Sequence, residues 1–206
     1  MTKEEAKKIA ELLSKNEENL YDEIFKALEK ERTEVHSIIK TPSIIKLSKL
    51  VAKEKPQINL DFLLNLWKKS MENEKELVFG VKSGRAVRLF FIGLISFIKD
   101  DRLKKEFVNK VSDFIGDWET CDQLAMKITK PLCIADESYF DVLCAYLESD
   151  NPWKRRLPIA TIAYLAPKMP KKKGYFLEIL ERVKNDKSLP VKKAIRWAVN
   201  ELKKVS

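Results

Sequence analysis

Apolar residues return every three to four positions along almost the whole chain, and little interrupts them: there are five glycines and eight prolines in 206 residues. That spacing lays the apolar residues on one stripe of an α-helix, whereas half-buried strands need an alternation that is scarce here. The stripes predict helices at about 3–14, 17–31, 42–54, 59–72, 75–99, 101–114, 118–133, 137–148, 152–166, 173–185 and 190–204. "TPS", "SDNP" and "SLP" put a proline at or near a first helical turn, with Asn151 a suitable N-cap ahead of Pro152. Short links favour antiparallel neighbours. The expected fold is all-α: an α-solenoid, a superhelix of antiparallel helical repeats, with 1–206 as a single domain. A compact bundle is the alternative, since no repeat consensus is visible.

A chain of this length with 45% hydrophobic residues can bury a core without disulfides or metal. The longest apolar run, "LFFIGLISFI", ends in "KDDR" and is too short to span a bilayer, so it reads as a buried helix with no membrane role. "MTKEEAKKIAELL" lacks the apolar centre and cleavage site of a signal peptide, which predicts a cytoplasmic protein. Cys121, Cys133 and Cys144 sit in apolar settings and read as reduced packing residues. His36 is the only histidine and the cysteines are 12 and 11 apart, so no zinc-ligand spacing exists and no metal or cofactor is expected. "GVKSGR" has the wrong interval for a phosphate loop.

Charge is uneven. Residues 151–206 carry 15 Lys and Arg against 4 Asp and Glu, a local +11, which leaves −2 for residues 1–150 out of a total of +9. A basic third on a near-neutral body suits a polyanionic partner; a solvated lysine-rich surface is the other reading.

Three helices depart from simple core patterning. In "IGDWETCDQLAMKI" the core stripe is Cys121, Ala125, Ile128 and Leu132, yet Trp118 and Asp122 stack one turn apart at its edge, which would leave the carboxylate partly desolvated. In "NPWKRRLPIATIAYL" the first turns hold Trp153, Lys154, Arg155 and Arg156. Cations there oppose the helix dipole, a conflict that a bound phosphate would relieve, and Pro158 should kink the helix. In "PVKKAIRWAVNEL" Trp197 points away from the stripe of Val191, Ala194, Ile195, Ala198 and Leu202, so it needs either a neighbouring helix or a ligand.

Taken together, "WETCD" at 118–122, "NPWKRR" at 151–156 and "KAIRW" at 193–197 resemble the DNA alkylation repair family, the AlkD-type glycosylases built from HEAT-like repeats; the likeness is clearest over about residues 104–204. The resemblance implies a metal-free, cofactor-free hydrolase that excises positively charged N3- and N7-alkylated purines from duplex DNA. It assigns Asp122 to stabilising an oxocarbenium-like sugar and positioning water, and Trp118 and Trp197 to offering π faces to the cation. Arg156 would bind a phosphate or hold the aspartate. Lys127, Lys130, Lys154, Arg155, Lys192, Lys193 and Arg196 are the expected DNA footprint, with alkylated duplex DNA the partner and no obligate protein partner implied. Where members often carry a small residue and an arginine, this chain has Arg196 and Asn200. Two rivals stand: a HEAT-repeat protein that binds duplex or branched DNA without chemistry, and a protein-interaction scaffold.

Overall fold

A computed structural model describes residues 1–31, 39–72 and 83–205; His36 and the first part of the 75–99 helix lie outside them. Among the described residues the chain is helical throughout, with no strand, which places it in the all-α, solenoid-like class. The described residues form two compact units, Met1–Phe114 and Ile115–Ser206.

The first unit holds α1 (Lys3–Lys15), α2 (Leu20–Glu29), α3 (Thr41–Lys53), α4 (Leu60–Glu72), α5 (Ser83–Phe97) and α6 (Asp101–Ser112). Thr2 starts α1 with a reciprocal capping box to Glu5, and Asn16 ends it in the left-handed region that asparagine tolerates. The apolar run is a helix buried on all sides: Val87, Leu89, Phe90, Phe91, Ile92, Leu94 and Ile95 of α5 are each fully enclosed. Gly93 permits this, because a Cβ there would meet Ser48 Oγ of α3 at 2.6 Å. That Ser48 hydroxyl donates to Phe90 O at 2.9 Å.

The second unit is built around α10 (Pro152–Leu165), which packs against α7 (Trp118–Leu124), α8 (Lys130–Ala135), α9 (Tyr139–Cys144) and α12 (Leu189–Lys203); α11 (Lys173–Arg182) lies against α12. The helix expected at 118–133 is helical to Ala135 but widens to a π turn over Ala125–Thr129. Pro131 supplies the reason: it has no N–H and its ring crowds the carbonyl four residues back, so the ladder opens locally. Thr129 and Thr161 then join α10 to the π turn through buried hydroxyls 2.6 Å apart. The 137–148 helix tightens to a 3₁₀ turn over Ala145–Glu148. Pro158 lies inside α10, which continues through it to Leu165. Cys121, Cys133 and Cys144 are free and buried. Among the described residues no helix is long and apolar enough to cross a membrane.

Candidate active site

Asp117 fixes where α7 begins. Its carboxylate accepts from Thr120 N at 2.8 Å and from Thr120 Oγ1 at 2.6 Å, so Trp118 becomes the first helical residue and Asp122 follows one turn later. Asn151 does the same for α10, accepting from Trp153 N at 2.9 Å while donating to Ile115 O at 3.1 Å. The Cys121 thiol points at Trp153 O, 3.6 Å away, which seats α7 on the first turn of α10. The expected stripe of Cys121, Ala125, Ile128 and Leu132 is buried as read, and the flanking Trp118 is 62% exposed.

Asp122 and Arg156 meet. Arg156 Nε donates to Asp122 Oδ1 at 3.0 Å and Nη2 donates to Oδ2 at 2.9 Å, a two-pronged pairing, while Nη1 donates to Pro190 O at 2.8 Å. One guanidinium therefore ties α7, α10 and the start of α12 together. Both side chains are largely removed from water. Burial raises the Asp122 pKa above its ordinary value of 3.8, with Arg156 pulling the other way, so the carboxylate relies on this partner for its charge.

Above the pair lies a cleft of about 420 Å³ lined by Trp118, Trp153, Arg156, Leu189, Pro190 and Lys193. Its walls are largely apolar, and its charged lining is Arg156, the partner of Asp122, together with Lys193, the composition of a site that orients a ligand through few polar groups. Trp197, one turn beyond Lys193, is half-buried and meets Tyr164 edge to face with centroids 5.0 Å apart. Burial, and then the Asp122 charge, raise the Tyr164 pKa. The choice left open for Trp197 thus has a neighbouring-helix contact, through α10.

The basic residues sort by surroundings. Lys192, Lys193 and Arg196 are exposed along α12. Lys154 lies over the Tyr146 ring, 4.8 Å from its centroid. Lys127 and Lys130 are half-buried in the π turn region, and burial lowers the Lys127 pKa. Arg155 differs from its expected place in the footprint: all five of its N–H donors are used. Nε and Nη2 bind Asp186 at 2.7 and 3.3 Å, Nη2 also reaches Ser188 Oγ at 3.4 Å, and Nη1 donates to Ser149 O and Asp150 O at 2.7 and 3.0 Å. A phosphate would have to displace one of these.

Sequence reasoning missed Leu189 and Pro190 as cleft walls, Tyr164 behind Trp197 and Asp186 beneath Arg155. Only Leu189 and Pro190 had a sequence signal, the helix start "SLP", and the structure leaves Leu189 62% exposed there. No group of three or more His, Cys, Asp or Glu able to hold a metal occurs among the described residues.

Fold and site together define an all-α protein with an aspartate held by a guanidinium that lines an aromatic cleft. A family model described as DNA alkylation repair enzyme matches residues 9–206, and the chain belongs to that family of DNA repair enzymes. The match extends beyond residues 104–204, where the likeness is clearest in the sequence, into the first unit. Searches of curated proteins and of solved structures found no match.

Proposed function

We propose that the protein is a DNA glycosylase that hydrolyses the N-glycosidic bond of cationic N3- or N7-alkylated purines in duplex DNA. The observation that carries this reading is the pairing of Asp122 with Arg156, which itself lines the tryptophan-walled cleft. An alkylated purine is already positively charged and leaves with little protonation, so the enzyme's task is to stabilise an oxocarbenium-like sugar and deliver water. Each carboxylate oxygen of Asp122 gives one lone pair to Arg156 and keeps another for a water or for the developing cation. Trp118 offers its face from the solvent side, at about 0.5–2 kcal/mol for a favourable cation–π contact. Trp197 would serve the same cation from the α12 side, held in place by Tyr164. Lys193 at the cleft and Lys154, Lys192 and Arg196 nearby would contact phosphates, with Lys127 and Lys130 as further contacts.

The same pairing favours one second reading, a DNA-binding protein without chemistry, because an aspartate neutralised by arginine is also a plain structural ion pair. Release of N7-methylguanine from methylated duplex DNA in the presence of a chelator separates the two. Release above the spontaneous rate supports the glycosylase; none, with duplex binding intact, leaves the binding protein.

A further inference from the structure

We propose that a second cleft, in the first unit, binds a small anionic amphiphile, of which a medium-chain carboxylate is the simplest example. The cleft, an open one of about 490 Å³, lies where the chain leaves α3 and α5, with Ala52, Pro56, Ile58, Phe97, Ile98 and Leu103 as apolar lining and the exposed Lys55 and Lys99 completing it. That volume falls in the range of small-molecule sites, and an apolar body with one charged contact point is their usual make-up. Phe97 is 38% exposed, a large ring left facing solvent at the cleft.

The backbone supplies an independent observation. Lys55 has φ of +50°, the left-handed conformation that follows many helices and that glycine adopts without penalty. The residue ahead of a proline is sterically restricted as well, and Pro56 follows. A cation to complement the α3 carbonyl end is already present in Lys53, so ending the helix does not require a second lysine at the strained position. Nor do the acids that open α6 explain the lysines: Asp100 accepts from Leu103 N at 3.0 Å and Asp101 from Lys104 Nζ at 2.8 Å. A lysine held in glycine's conformation at the edge of an apolar cleft points to a ligand whose anionic end it meets, with the tail against Ile58, Phe97 and Leu103.

Titration of the full chain with decanoate, and with uncharged decanol, tests this. Expected is saturable one-to-one decanoate binding that duplex DNA does not displace. Lys55→Gly and Lys99→Met should each weaken decanoate binding by about two- to fivefold and leave decanol unchanged, as for loss of one exposed charge pair. Ile58→Asp should remove both ligands. Lys55→Gly should also hold or raise Tm, by roughly 1–3 °C, because it relieves the left-handed residue. Absence of saturable decanoate binding, equal effects of the lysine variants on decanoate and decanol, displacement by duplex DNA, or a Tm lowered by Lys55→Gly would each overturn the proposal. The readout is independent of base excision, so failure here leaves the glycosylase reading untouched.

Discussion

Asp122 owes its charge to one neighbour, and that dependence shapes what its substitutions will do. Asp122→Asn should lower excision by about two to four orders of magnitude, the range for losing a key electrostatic or general-base group. It is not a silent change, because Arg156 keeps a buried charge without a counterion, so turnover must be measured per folded molecule alongside a melting curve. Loss of stability with turnover intact would make the carboxylate purely structural. Arg156→Ala should destabilise by an amount toward the lower end of the roughly 3–5 kcal/mol typical of a broken buried pair, since the stranded carboxyl can protonate. The pH dependence follows with its sign. Asp122 has a raised pKa in the folded protein, so its protonation favours the native state and its contribution to stability falls as pH rises through that value. If excision needs the ionised form, the acid limb of the rate profile, corrected for spontaneous depurination, should lie above the ordinary aspartate value of 3.8. It should move higher still in Arg156→Lys, whose point charge cannot reproduce the two-pronged contact. An acid limb unmoved by Arg156→Lys would disconnect the pair from the chemistry.

At the scale of elements, α10 is the member on which the site is assembled, and its attachments are polar as well as apolar. The Thr129–Thr161 pair anchors the π turn to α10, and each hydroxyl also donates to, or lies within hydrogen-bond reach of, a carbonyl four residues back in its own segment. Thr161→Val should therefore cost about 1–3 kcal/mol by leaving Thr129 short of a partner, while Thr129→Val with Thr161→Val should cost less than the two single changes added together. A chemical-denaturation double-mutant cycle reads this directly; additive costs would mean that the hydroxyls act separately. Arg155 works at the same scale. By holding Ser149 O, Asp150 O and Asp186 it fixes the chain ahead of both α10 and α12, the two helices that carry Arg156 and Lys193.

For the whole molecule the governing quantity is the charge gradient, +11 over residues 151–206 against −2 over the rest. If the α10 and α12 cations meet a duplex, each phosphate neutralised releases counterions and log K should fall with log salt by about 0.9 per contact. Replacing Lys154, Lys192, Lys193 and Arg196 by alanine should flatten that slope by up to roughly four such contacts. Arg155→Ala should leave the slope unchanged and lower the melting temperature instead, because its donors serve the fold. Salt-titrated binding to plain duplex DNA distinguishes these outcomes, and an undiminished slope in the quadruple variant would place the DNA surface elsewhere.

Helical spacing in the sequence was enough to locate the described helices to within a few residues, because burying one stripe of each helix is a local pattern at fixed period. The buried Cys121–Leu132 stripe with Trp118 at its edge was legible for the same reason, and Asn151 at its cap because its side chain suits a helix start ahead of Pro152. The π turn at Ala125–Thr129 was not, although its cause, Pro131, was in plain sight: whether a proline ends, kinks or widens a helix depends on what the freed groups find nearby, here Thr161 of another helix. Trp118, Asp122, Arg156 and Trp197 were named by resemblance. That Arg156 grips Asp122 and Pro190 O, whereas the adjacent Arg155 is fully occupied by Asp186 and two carbonyls, was decided by tertiary structure alone. Two neighbouring arginines on one helix turn look alike in a sequence; they point about 100° apart, and only the packing of α7 and of the chain before α12 determines what each one meets.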